Sequence, residues 1–153
     1  MLRSLRIDVA NAEASDHFWS VFAKLPSFCK LDHLEFGDCT IQLDDLVAVV
    51  SKYYDSLRVL ELQNMYLSAG EVDTLGVFYA NMRHQAKIQR FEQWEVLIEN
   101  EIIEFPTRLR DIDDIEGWNE KDWVSLIPCP IQREGADEVQ ELLRELSEHC
   151  QNA

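Results

Sequence analysis

The strongest constraint on what this chain can fold into is a spacing of apolar residues that recurs along it. Leu31, Leu34, Phe36, Cys39 and Ile41 fit the pattern L-x-x-L-x-L-x-x-N/C-x-L at every fixed position. Leu57, Leu60, Leu62, Met65 and Leu67 repeat it 26 residues later, with Met65 in the Asn or Cys slot. Looser copies flank these two. One runs through Leu2, Leu5, Ile7, Ala10 and Ala12, and the other through Ile88, Phe91, Gln93, Val96 and Ile98; they start 29 residues before Leu31 and 31 after Leu57. Apolar residues at alternate positions describe a short strand that buries one face, and such a strand leaves both edges unpaired until another copy stacks beside it. The copies are therefore expected to fold together or not at all.

Between the strand signatures lie segments with apolar residues near helical spacing, at about 15–25, 43–54 and 69–82. Phe18, Val21, Phe22 and Leu25 mark the buried stripe of the first, and Leu43, Leu46, Val47 and Val50 that of the second. Ser15 or Asp16 is placed to cap the first helix, and Pro26 to stop it after Leu25. The fourth copy admits two readings. Gln93 puts a polar side chain in an apolar slot, and Phe91, Trp94, Ile98 and Ile102 also suit one amphipathic helix over 86–103, so strand plus cap and long helix both stand.

Aligned on Leu31–Ile41 and Leu57–Leu67, the chain resembles the leucine-rich repeats of the ribonuclease-inhibitor type. The stretch from Leu25 to Ile41, with Pro26 and Cys29 before the repeat, looks like the repeats that follow F-box motifs in substrate-recruiting proteins of fungi. The resemblance covers about residues 1–98 and is specific at 31–67. It implies a short α/β solenoid, parallel strands on the concave side and helices on the convex side, used to recognise protein partners and carrying no active site. Substrate recognition within a ubiquitin-ligase adaptor is the role it suggests. An F-box is a roughly forty-residue helical motif that would precede the repeats, and nothing near the N-terminus reads as one.

In that register the third, fifth and seventh positions of each copy point out of the sheet. They read Ser4, Arg6, Asp8; His33, Glu35, Gly37; Val59, Glu61, Gln63; and Arg90, Glu92, Trp94. The expected contact surface is Arg6, His33, Glu35, Glu61, Gln63, Arg90, Glu92 and Trp94. Its middle row sets Glu35, Glu61 and Glu92 side by side, and like charges left facing one another call for a basic partner. Trp94, an aromatic among polar neighbours, suits an interface anchor. The chain begins inside a copy, with Leu2 and Leu5 at strand positions and no polar cap before them. An unprotected first strand of that kind can pair with a second copy, giving a homodimer, and a self-associating structural piece is the alternative to partner binding.

Charge narrows the partners further. The net charge is −15, a field that repels nucleic acid and anionic membranes. Residues 99–153 hold 15 acidic and 5 basic residues, which is −10 of that total. This region reads as an acidic cap: Trp118 and Trp123 bracket a turn or short helix, and Val139, Leu142, Leu143 and Leu146 form the apolar stripe of a helix over about 134–149. No run approaches the roughly 20 apolar residues of a spanning helix, and residues 1–11 have no signal-peptide core. Cys29, Cys39, Cys129 and Cys150 fall in no CxxC or disulfide-framework spacing, so reduced thiols and an intracellular protein are expected.

Chemistry finds little footing. Asp111, Asp113, Asp114 and Glu116 suggest a calcium loop, but its sixth position is Glu116 where glycine is needed and its twelfth is Asp122 in place of glutamate. His149 and Cys150 supply two of the four ligands zinc needs, with no second pair nearby. There is no G-x-S-x-G elbow or glycine-rich phosphate loop. An enzyme built from distant residues, such as His33 with neighbouring carboxylates, would need a deep pocket with converging titratable groups. The expectation is a binding protein with no catalytic residues, cofactor or metal.

Overall fold

The computed structural model describes residues 2–9, 12–27, 29–99, 101–102 and 131–152. It is a mixed α/β structure with two sheets. The larger is built from β1 (Ser4–Asp8), β2 (His33–Gly37), β4 (Val59–Gln63), β6 (Arg90–Gln93) and β9 (Ile131–Glu134), in the order β1-β2-β4-β6-β9. The first four run parallel, and β9 joins β6 antiparallel. The smaller sheet contains β3 (Thr40–Ile41), β5 (Met65–Leu67), β7 (Val96–Ile98) and β8 (Glu101–Ile102), in that order, with β8 antiparallel to β7. Helices α1 (Ala12–Phe22), α2 (Leu43–Ser51) and α3 (Val72–Gln85) connect the parallel strands, and α4 (Ala136–Gln151) follows β9.

Register follows from which side chains must leave water. Ser4 pairs with His33, His33 with Val59 and Val59 with Arg90. Those steps of 29, 26 and 31 residues are the offsets between the copies in the sequence. Leu34, Leu60 and Phe91 consequently share one row of the inward face, and Phe36, Leu62 and Gln93 the next; all are buried. A slip of one residue would turn both rows to the other face, at about 1.5–3 kcal/mol for each large apolar side chain.

Local polar contacts tie one copy to the next. The Cys39 thiol donates to the carbonyls of Ile7 at 3.1 Å and Gly37 at 3.2 Å. Burial pushes this thiol up to about 11. Asp38 and Asn64 occupy equivalent positions with φ of 47° and 50°, and the Asn64 amide donates to the Asp38 carboxylate at 2.9 Å. Short polar side chains tolerate that left-handed backbone better than others do.

The helices begin and end away from the expected positions. α1 spans Ala12–Phe22, so Ser15 and Asp16 lie inside it and cannot cap it, Ala12 opens it and does not fill a strand slot, and Leu25 lies in the turn beyond. Its inward residue is Trp19, fully buried, whose indole N–H donates to the Thr40 carbonyl at 2.9 Å; Phe18, Val21 and Leu25 are exposed instead. α2 ends at Ser51 and turns follow, while α3 starts three residues later than expected and runs to Gln85. Strands at 90–93, 96–98 and 101–102 settle the two readings of 86–103 against a long helix. Gln93 stays in the apolar slot because the Tyr79 hydroxyl donates to its amide oxygen at 2.5 Å.

α4 occupies nearly the predicted span. Val139, Leu142, Leu143 and Leu146 are buried and the helix lies against α3, where Gly76 permits close approach: a Cβ there would sit 3.0 Å from the Cys150 Cβ and 3.1 Å from the Ser147 carbonyl. The strand β9 before it was not foreseen. One hydrophobic core runs from Ile7 through Trp19, Phe78 and Phe91 to Cys150, so β9 and α4 share their interior with the strands and helices that precede them. Cys29, Cys39 and Cys150 are free thiols. Among the described residues no helix is long and apolar enough to cross a membrane. The acidic run at Asp111–Glu116, the Trp118 and Trp123 turn and Cys129 lie outside the described residues.

Candidate interaction face

The eight expected contact residues come together on the outward face of the larger sheet. Strand pleating turns alternate residues to the same side, and the parallel register sets Arg6, Glu35, Glu61 and Glu92 in one row across β1, β2, β4 and β6. Gln132 of β9 pairs opposite Glu92 and extends that row. His33 and Arg90 lie in the row before it, Gln63 in the row after, and Trp94 follows the end of β6.

The carboxylates do not face one another bare, contrary to the expectation from their row. Arg6 donates to Glu35 at 2.6 Å and to Asp8 at 3.0 Å. The Arg90 guanidinium donates to Glu92 at 2.9 Å and reaches Glu61 at 3.9 Å, and His33 Nε2 lies 3.2 Å from Glu61 Oε1. The Gln63 amide donates to Glu61 at 3.2 Å, and the Trp94 indole N–H donates to Glu92 at 2.6 Å. Arg6 meets Glu35 within the row, whereas His33 and Arg90 reach Glu61 diagonally from the row before it, contacts that a comparison of equivalent positions alone overlooks. The hydrogen bond that Arg6 donates to Asp8 and the nearby Glu35 charge raise the Arg6 pKa, and Arg90 is raised chiefly by its bond to Glu92.

Exposure divides the eight. Glu61 and Glu92 are each only 8% exposed, so a partner would meet them at their edges. Glu35, Gln63, His33, Arg90 and Trp94 are intermediate, and Arg6 is exposed. Gly37 leaves room above β2, since a Cβ there would collide with Asp8 Oδ1 and lie 2.9 Å from Arg6 Nη2. The pairing of Arg6 with Asp8 over this glycine is a feature the sequence reading missed; the signal was the match of opposite charges at alternate positions of one strand.

No protein-family model, curated protein or solved structure matches this chain.

The same face also answers the question of metal binding. His33, Glu35 and Glu61 present one ligand atom each within 4.8 Å of one another, a set of one imidazole and two carboxylates that could hold a divalent ion. His33 Nε2 is buried and makes no hydrogen bond, despite its approach to Glu61. Both carboxylates, however, already have a guanidinium at hand, Arg6 on Glu35 and Arg90 beside Glu61. A metal ion there would compete with two fixed cations. Away from this face, Cys150 is buried with its thiol pushed up to about 12, which disfavours the thiolate that a metal or a substrate would need.

Proposed function

We propose that this chain is a leucine-rich-repeat solenoid of the ribonuclease-inhibitor type that binds a protein partner on the outward face of its larger sheet. The observation that carries the reading is the row Arg6, Glu35, Glu61, Glu92, flanked by His33, Gln63, Arg90 and Trp94, on four adjacent parallel strands. A rigid sheet presents these groups without an ordering cost at the moment of binding, and their mutual bonds fix the rotamers in advance. The partner is one with a basic surface. Pairing with Arg6 and Arg90 offsets much of the local negative charge, so attraction comes chiefly from the net −15 of the chain acting at long range, with Glu35, Gln63 and Trp94 making the direct contacts. Recruitment of substrates within a ubiquitin-ligase adaptor is the cellular role that fits a solenoid of this class.

The test is a quantitative pull-down comparing the wild-type chain with a Glu35→Lys, Gln63→Arg, Trp94→Ala variant, after circular dichroism shows that both are folded. Glu61 and Glu92 are left intact because both are buried and removing either would take a carboxylate from Arg90. Partners recovered by the wild type and lost by the variant, with recovery falling as salt rises, support the face. An identical partner set for both proteins refutes it.

A further inference from the structure

We propose that two copies of this chain associate through β1, pairing antiparallel edge to edge about Ile7, so that Arg6 of each copy lies opposite Asp8 of the other. This surface is the edge of the sheet and shares only Arg6 with the face proposed above. Among the described residues β1 ends the larger sheet, with β2 as its one neighbour. The Arg3 carbonyl accepts from the Asp32 and His33 amides, at 2.9 and 3.2 Å, the Ile7 carbonyl accepts from the Cys39 thiol, and the Val9 carbonyl accepts from the Thr40 amide at 3.2 Å. Odd-numbered residues thus turn their backbone groups toward β2. Alternation along a strand then directs those of Ser4, Arg6 and Asp8 outward, an unpaired ladder of the kind that templates another strand.

The helix that follows β1, α1, packs on β3 and α2 by one side and leaves apolar side chains exposed on another. Phe18 is 38%, Val21 47% and Leu25 44% exposed, at intervals of three and four residues, although Trp19 next to them is fully buried. Leu2 is 50% exposed. Apolar side chains at both the strand edge and the neighbouring helix make this end of the molecule a surface for close packing.

Charge selects the occupant and the register. Pairing centred on Arg6 would place Arg6 against Arg6, a like-charge pair. Pairing centred on Leu5 would set Asp8 against Leu2 and leave its charge unmatched. Centring on Ile7 gives two Arg6–Asp8 cross pairs, places Ile7 against Ile7 on the twofold axis and Leu5 against Val9, and so continues the core side across the junction with apolar residues. A twofold axis there also sets α1 beside α1. A second copy therefore matches this edge in backbone, apolar and charged groups together.

The full chain is examined by sedimentation equilibrium over a hundredfold range of concentration. A monomer–dimer equilibrium is expected. Arg6→Pro removes an outward N–H while leaving the backbone bonds to β2, and should abolish the dimer. Asp8→Arg and Arg6→Asp each create two like-charge cross pairs and should weaken association about tenfold or more alone. Mixed in equal amounts, those two variants restore both attractive pairs and should form a heterodimer with close to wild-type affinity. That rescue supports the register even if Arg6→Pro fails to fold. A chain that stays monomeric throughout, a dimer indifferent to Arg6→Pro, a mixture that fails to associate, or growth past the dimer through another edge would each overturn the proposal.

Discussion

The buried pair Tyr79 and Gln93 offers the sharpest test of why the fourth strand holds its place. Gln93 sits 2% exposed in the slot that Phe36 and Leu62 fill in the neighbouring strands, and the Tyr79 hydroxyl is its donor at 2.5 Å. Tyr79→Phe leaves the amide oxygen buried without that donor, at a cost of about 1–3 kcal/mol. Gln93→Leu leaves the hydroxyl without this acceptor, a cost of the same order, lessened by the apolar side chain gained. The double variant removes both polar groups and should be within about 1 kcal/mol of wild type, so the two single costs fail to add by about 1–2 kcal/mol. Urea unfolding of the four proteins, with m unchanged among them, measures that coupling. Strictly additive effects, or a Gln93→Leu protein more stable than wild type on its own, would show that Tyr79 is not what makes the glutamine tolerable.

Two further outcomes follow from burial. Tyr79 is fully buried, and desolvation of the phenolate holds its pKa well above the ordinary 10.0. The raised folded-state value means this contribution is complete below pH 10 and is lost as pH rises beyond it, where the unfolded chain gives up the proton first. Stability should fall by about 1.4 kcal/mol per pH unit from this group, and Tyr79→Phe should flatten the decline in urea titrations run from pH 9 to 11. At the contact between α3 and α4, Gly76→Ala places a Cβ 3.0 Å from that of Cys150 and 3.1 Å from a backbone carbonyl. It should destabilise by about 1–3 kcal/mol through overpacking, despite the better helix propensity of alanine; a stabilised protein in thermal unfolding would contradict the close approach.

The sequence by itself determined the four parallel strands of the larger sheet and their alignment. Leu34, Phe36, Leu60 and Leu62 can enter a core together only in one pairing register, because the side-chain period is two and a slip exposes every one of them. The same logic located Val139, Leu142, Leu143 and Leu146 on α4, and it brought the eight polar residues to one face by their positions in the recurring apolar pattern. What it could not determine was which neighbours those groups would meet. The helical pattern of α1 allowed either stripe to face inward, and packing chose Trp19, whose indole finds the Thr40 carbonyl, leaving Phe18 and Val21 outside. The row of carboxylates looked uncompensated because equivalent positions were compared along a single line. Arg90 and His33 reach Glu61 diagonally from adjacent strands, a contact set by side-chain length and sheet geometry. β9 escaped notice for a related reason: four residues carry too short an alternation to stand out, and it exists as a strand because β6 offers it an edge. Periodic burial is written locally, whereas the partners of a charge or of a sheet edge are decided only when distant segments arrive beside it.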